Sequence, residues 1–300
     1  MSRCEICQNS KTTFFHSLGK FSYYLCTRCR TLFLSPKPSN YQIKNYYSSQ
    51  FTYDAAESNE VRIRKRAHIT LTKLKKMNPK GESLLDIGSG YGFLLEESKK
   101  YGIKALGLEP AKKLYSRAHE NTKNLSFDYY FKKNSKIRFD FITMIHLIEH
   151  VADPREIIQK ARQLLSSKGI LYIETPNLDS HLFYVEKYHY TFLTPPDHIW
   201  IFSSKSFSYL LKDEINLSRL NISTYSYPEH FMGILKNTLK FKNTKNKADS
   251  IMRRAERLEK SKVTPFSFKY LVLDKFIAPL LTPLLNIDNK GSILELYLKR

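Results

Sequence analysis

Between Leu84 and Glu174, short apolar runs alternate with stretches whose apolar residues recur at helical spacing. That alternation predicts a parallel sheet with crossover helices. The run Leu84-Leu85-Asp86-Ile87 ends in an acid, crosses glycines at alternate positions and becomes amphipathic at Phe93-Leu94-Leu95, which reads as strand, tight turn and helix. Glu96 to Tyr101 continue that helix and Gly102 ends it. Ala105-Leu106-Gly107-Leu108 is closed by Glu109, and Phe139 to Ile145 reads as a buried strand leading into His146-Leu147-Ile148-Glu149-His150. Asp153-Pro154-Arg155-Glu156 offers a capping acid, a first-turn proline and a reciprocal glutamate. The helix it opens carries Ile157, Ala161, Leu164 and Leu165 on one face and stops at Gly169, before the strand Ile170 to Glu174.

Outside this stretch the pattern changes. Ser35-Pro36-Lys37-Pro38-Ser39 breaks the chain and marks a domain boundary. Tyr41, Tyr46, Tyr47, Phe51 and Tyr53 follow, then a basic helical stretch from Glu57 to Met77 anchored by Val61, Ile69, Leu71 and Leu74. The aromatics suit a lid over a site and equally suit packing between domains. Lys236 to Lys262 is strongly basic, with Ile251, Ala255 and Leu258 at helical spacing. Phe266 to Ile287 is apolar but interrupted by Lys269, Asp274, Lys275, Pro279 and Pro283. This part suits a solvated helix and packed cap, or a cover for a pocket or contact with a membrane surface. The expected organisation is a module over 1–35, a connector and helical lid over 36–80, a core over 81–228, an insertion or cap over 229–290 and a final core strand over 291–300.

The chain has 300 residues and a formal net charge of +21. Such a charge attracts polyanions or anionic lipid and does not choose between them. With no apolar run of membrane-spanning length and no apolar amino-terminal signal region, the expectation is a soluble cytoplasmic protein with at most peripheral membrane contact. All four cysteines fall early, as Cys4-x-x-Cys7 and Cys26-x-x-Cys29. Two such turns make a tetrahedral sulfur cage for a structural zinc ion; two disulfides would instead need an oxidising compartment. With the thiols so occupied, no cysteine nucleophile is left for methylation at C5 of a pyrimidine.

The glycine turn asks for a ligand. Its spacing, Gly88-x-Gly90-x-Gly92, departs from the G-x-G-x-x-G of dinucleotide loops, and Phe93 stands where the last glycine would fall. Asp86 would repel a phosphate but favours the ammonium of a methionine moiety beside a sulfonium. Glu109 is placed to accept both ribose hydroxyls. Asp86, Gly88, Ser89, Gly90, Gly92 and Glu109 therefore point to S-adenosylmethionine rather than a nicotinamide dinucleotide, against the plainer reading of a turn without a ligand. Strand carboxyl ends should gather Asp86, Glu109, His146 and Thr175-Pro176-Asn177 around one crevice.

These features together resemble class I S-adenosylmethionine-dependent methyltransferases: the Asp86–Gly92 loop, Glu109, Ile148-Glu149-His150-Val151-x-Asp153-Pro154 and Leu165-x-x-x-Gly169-x-Leu171-x-x-x-x-Pro176-Asn177. The resemblance implies an α/β fold, a Rossmann-like seven-stranded sheet whose last strands, Leu220 to Tyr227 and Ile293 to Lys299, form an antiparallel hairpin. To it would be added a small zinc ribbon-like module and a helical carboxyl-terminal insertion. In the family, the segment after the third strand contacts adenine, and here it offers Asn134. The cysteine pairs and the tyrosine-rich connector are similar to methyltransferases of nucleotide-linked deoxysugars. Their Tyr-His-Glu-His stretch aligns with Pro195-Pro196-Asp197-His198, matching the last histidine and the acid before it. The tyrosine, the first histidine and the extra carboxyl-terminal domain of those enzymes have no counterpart here.

In-line methyl transfer to a hydroxyl needs alignment and a proton acceptor. His198, oriented by Asp197, is the expected base and His150 the second candidate, while His146 lines the methionine pocket. The expected reaction is methylation of a nucleotide- or lipid-linked sugar in polysaccharide or glycoconjugate synthesis. The alternative is RNA base methylation, which the basic charge and the cysteine module allow; against it, the chain has no N-P-P-Y-type turn, which Thr194-Pro195-Pro196-Asp197 only approximates.

Overall fold

A computed structural model describes residues 2–39, 41–43, 46, 60–212, 217–240 and 278–300. Tyr47, Phe51 and Tyr53 of the connector, and most of the basic stretch after Lys240, lie outside the described residues. The strands are β1 (Thr12–Leu18), β2 (Phe21–Cys26), β3 (Leu32–Leu34), β4 (Ser83–Ile87), β5 (Lys104–Leu108), β6 (Thr122–Lys123), β7 (Phe139–Ile145), β8 (Leu165–Pro176), β9 (Trp200–Ile201), β10 (Ser218–Tyr225) and β11 (Ile293–Lys299). The helices are α1 (Glu60–Met77), α2 (Phe93–Ser98), α3 (Lys112–Tyr115), α4 (Phe127–Asn134), α5 (Pro154–Leu164), α6 (His181–Glu186), α7 (Ser204–Leu210), α8 (Pro228–Lys240) and α9 (Ala278–Leu281).

Among the described residues, seven strands form one sheet in the order β10-β11-β8-β7-β4-β5-β6. The pairs from β8 to β6 are parallel, and β11 inserts antiparallel between β8 and β10. This is the expected class I methyltransferase sheet with its terminal hairpin. Alternate residues of the central strands feed two cores. Leu84, Phe141, Ile170 and Tyr172 face α1, while Leu85, Ile142, Leu171 and Ile173 face the cluster that includes Ile158, Ala161 and Leu164 of α5.

α1 buries Ala67, Thr70, Leu71 and Leu74. Val61, expected as an anchor, is exposed, because it sits six residues before Ala67 and so about 240° around the helix from that stripe. α5 buries Ile158 rather than Ile157, and it ends at Leu164, not at Gly169. Gly169 lies inside β8, where a β-carbon would come within 2.9 Å of the Ser166 amide, so the glycine serves a bulge in the strand. Asp153 caps α5 by accepting from the amides of Arg155 and Glu156. The Glu156 carboxylate does not reach back to it and pairs with Lys160 at 2.6 Å, one turn on.

A second sheet, β1-β2-β3-β9, joins the amino-terminal strands to Trp200–Ile201. The chain breaks at Ser35–Pro38, yet the packing continues: Phe21, Tyr23, Leu32 and Leu34 bury against Leu178, Leu182, Tyr190 and Ile201. Among the described residues no helix is long and apolar enough to cross a membrane.

Candidate active site

The first side of the crevice is the glycine turn after β4. Gly88, Gly90 and Gly92 have φ of 77°, 53° and 79°, and the amides of Gly88 and Ser89 both donate to the carbonyl of Leu108. A β-carbon on Gly90 would meet nothing within 4 Å, so the backbone there borders open space. Glu109, at the end of β5, accepts from the amides of Gly90 at 3.0 Å and Ala111 at 2.8 Å. Asp86 is buried and accepts from Thr143 Oγ1 at 2.6 Å, and burial pushes its carboxyl up to about 7. Ser89 Oγ is buried without a hydrogen-bond partner. An open glycine edge and two buried acids fit a cationic nucleoside ligand; the Ser89 hydroxyl packs instead against Gly107 of β5. Asn134 does not join them: its side-chain amide donates to Tyr130 within α4.

The second side begins where β7 ends. His146 takes φ of 50° and its imidazole lies between two carboxylates, with Nδ1 3.3 Å from Glu149 and Nε2 3.4 Å from Glu174. Burial opposes its charge, but the two glutamates outweigh that and hold it at about 10, so the ring is a cation at neutral pH. Glu149 is fully buried and accepts from Thr175 Oγ1 at 2.9 Å, which ties the ends of β7 and β8 together.

His150 follows, with Nδ1 2.9 Å from Asp197 Oδ1 and 3.1 Å from the Asp197 carbonyl. His198 has its Nδ1 2.7 Å from the Phe192 carbonyl, and its Nε2 lies 4.0 Å from Asp197 Oδ2. Asp197 therefore orients His150, not His198 as expected from the sequence. The aspartate follows a turn at Thr194, whose carbonyl accepts the Asp197 amide at 2.9 Å, and that turn aims its carboxylate at the loop after β7. Burial opposes charge on His150, but Asp197 and Glu149 raise its pKa above the usual imidazole value. Burial and the neighbouring His150 charge lower His198 to about 4, so it stays neutral. The two rings meet edge to face at 4.7 Å. Glu149, His150 and His198 also present ligand atoms within 4.8 Å of one another, a donor set that could receive a divalent ion.

Several residues here had no motif to mark them. Arg66 of α1 lies 3.3 Å from Glu174 and also contacts Glu295 of β11, extending the carboxylate–imidazole chain behind His146. The Tyr172 hydroxyl lies within hydrogen-bond distance of both Glu174 and Glu295, at 2.5 and 3.0 Å, and shares its one proton between them, while Tyr225 donates to Glu174. Tyr46 is pushed up to about 12 by burial and by the Asp197 charge, which brings one connector aromatic beside the acceptor residues; Tyr41 is exposed. Alternating apolar strands hid Glu174 and Glu295, and only the inward direction of their side chains could have flagged them.

The chain matches the methyltransferase domain family over residues 59–217, more than half its length. The chain belongs to that family. The methyltransferase is 35% identical over 111 residues to the ubiquinone biosynthesis O-methyltransferase of Actinobacillus pleuropneumoniae serotype 5b, covering 32% of this chain and 47% of that protein. It is 33% identical over 106 residues to the protein of the same name from Coxiella burnetii, covering 33% and 45%. The match spans about half the length of these curated relatives. Among solved structures, a methyltransferase dependent on S-adenosylmethionine from Archaeoglobus fulgidus superimposes with a TM-score of 0.53 at 17% identity, covering 83% of this chain and all of that one. The plantazolicin methyltransferase BamL superimposes with a TM-score of 0.51 at 16% identity, covering 86% and 94%. These structures share the fold.

In this methyltransferase the four cysteines are free thiols gathered at one point. Cys4 and Cys29 sulfurs lie 3.6 Å apart and those of Cys7 and Cys26 3.5 Å. Four sulfurs about 2.3 Å from a tetrahedral zinc would stand about 3.8 Å apart, so the cluster is shaped for such an ion.

Proposed function

We propose that this methyltransferase moves a methyl group from S-adenosylmethionine to a hydroxyl oxygen of a small-molecule acceptor, with His150 taking the hydroxyl proton. The observation that carries this reading is the 2.9 Å contact between Asp197 and His150 Nδ1. An aspartate there holds the neutral ring with its proton on Nδ1 and leaves Nε2, 3.9 Å from Glu149 Oε1, as the base, with the imidazolium that forms steadied by both carboxylates. His198, neutral and tied to a carbonyl, shapes the same pocket. The cofactor supplies an electrophilic methyl on a positively charged sulfur, which leaves as a neutral thioether. Asp86, Gly88, Ser89, Gly90, Gly92 and Glu109 hold it, and the His146 cation suits the carboxylate of its methionine end. The protein then contributes alignment and one proton acceptor.

For the acceptor, the cysteine pairs and the tyrosine-rich connector support a nucleotide- or lipid-linked sugar. The relatives' names support a second reading, an O-methyl acceptor of the kind used in ubiquinone biosynthesis. RNA has less support, since Thr194-Pro195-Pro196-Asp197 only approximates an N-P-P-Y turn. Labelled S-adenosylmethionine, offered with sugar nucleotides, lipid extract and RNA in separate reactions, tests the three. Label in RNA alone would overturn the proposal.

We also propose that Cys4, Cys7, Cys26 and Cys29 hold one structural zinc ion. Metal analysis should return about one zinc per chain, and free thiols without metal would refute it. Leu280, Leu284 and Ile287, exposed in α9 and the turns that follow it, support peripheral contact with an anionic membrane. Failure to sediment with anionic liposomes at low salt would remove that contact.

A further inference from the structure

We propose that His230 is an acceptor-binding residue, its Nδ1 forming a hydrogen bond with an uncharged hydroxyl of the acceptor. This rests on the methyl-transfer reading above.

The topology brings His230 to the right edge. β10 runs parallel to β8, since each is antiparallel to β11, so the end of β10 emerges beside the ends of β8 and β7. The chain turns at Tyr227 and starts α8 at Pro228, with His230 in its first turn. Relative to β7 and β8, this is the side away from β4 and its glycine turn. A group delivered here reaches the acceptor end of the crevice and not the nucleoside end.

The ring sits among the acceptor-side aromatics. It lies 5.9 Å from Phe192 and 5.4 Å from Tyr227, edge to face with both. Phe192 in turn stacks over His198 at 6.0 Å and supplies the carbonyl that His198 binds. Arg62 of α1 lies over the outer face of Tyr227 at 4.6 Å.

The chemistry of the ring singles it out. His146, His150 and His198 each have Nδ1 engaged, by Glu149, Asp197 and the Phe192 carbonyl. His230 Nδ1 is buried and has no hydrogen-bond partner. Leaving a polar nitrogen dry and unpaired is unfavourable, and packing alone would be served as well by phenylalanine. Burial, with the charges of Arg62 and His146, lowers the ring to about 4. The imidazole is therefore neutral at physiological pH and offers a hydrogen bond without a charge, which suits a hydroxyl and not a phosphate.

The test uses the full chain, labelled S-adenosylmethionine and an unfractionated small-molecule and lipid extract as the acceptor pool, with His230→Phe and His230→Gln beside the unaltered protein. At limiting extract His230→Phe should lose about tenfold in methyl incorporation, recovering toward the unaltered maximum at high extract, and His230→Gln should regain most of the loss. Affinity for S-adenosylhomocysteine, measured by calorimetry, should be the same in all three. Equal incorporation by His230→Phe at every extract concentration would overturn the assignment and leave the methyl-transfer reading standing. No incorporation by the unaltered protein would overturn both.

Discussion

The hydroxyl of Tyr23, on the second strand of the cysteine module, donates to the carbonyl of His198 at 2.7 Å. Around it the Leu34 amide donates to the Ile199 carbonyl, Thr31 donates to Ser206, and Ser203 donates to the Cys29 carbonyl. The amides of Ile199 and Trp200 then donate to the carbonyl of Glu149. The module is thus fastened to the segment that delivers Asp197 to His150. Tyr23→Phe leaves a buried carbonyl unpaired and should cost about 1–3 kcal/mol in urea unfolding. The Ile199 and Trp200 amides should also exchange faster, and unchanged protection at those two positions would contradict the coupling.

Asp197→Asn should lower kcat about 10²–10⁴-fold, because the amide no longer fixes the His150 tautomer or steadies its charge. Cofactor affinity should be untouched. His198→Gln should have the smaller effect of the two, and steady-state kinetics with any accepted substrate would reverse the roles of the two histidines if it proved the larger.

Asp86 gives a pH dependence with a definite sign. With its carboxyl raised to about 7 by burial, the free protein carries this proton below that pH. A cationic cofactor favours the carboxylate, so affinity should fall as pH drops below 7, approaching about tenfold per unit, with proton release on binding. The unfolded carboxyl titrates at the ordinary value of 3.8, so the unliganded protein should lose stability as pH rises from there to about 7. Calorimetry in buffers of different ionisation enthalpy reads the proton directly.

Arg66→Met should be strongly destabilising. Glu174 and Glu295 are each 1% exposed at the side chain, and Arg66 is their shared counter-ion. Removing it leaves buried carboxylates poorly compensated, at about 3–5 kcal/mol. Although burial opposes its charge, His146 and Arg66 hold Glu174 down to about 2. The stability it contributes is therefore present above the unfolded carboxyl value and lost as pH falls toward 2. The deficit of Arg66→Met should shrink over the same acid range in pH-dependent thermal unfolding.

Much of the cofactor half was legible because it is local. Asp86, the three glycines and Glu109 occupy adjoining strand ends, and a turn that needs positive φ betrays itself as glycine. Helix ends were less legible. Gly169 reads as a stop, yet it sits inside β8 at a bulge that folds the strand back on Leu165 and Ser166, where the register against β7 slips. The acceptor half was least legible: the neighbour of Asp197 in sequence is His198, but its partner in space is His150.

By itself the sequence determined the alternation of strands and helices, the glycine turn with its two acids and the four-cysteine cluster, since each follows from short motifs that recur at readable spacings. Only the tertiary structure decided which histidine Asp197 holds, that Arg66, Glu174 and Glu295 share one buried ionic group, and that Tyr23 reaches His198. Those pairings join residues remote along the chain, and it is the order of strands, together with the exclusion of water around the buried charges, that brings them together and makes each depend on its partner.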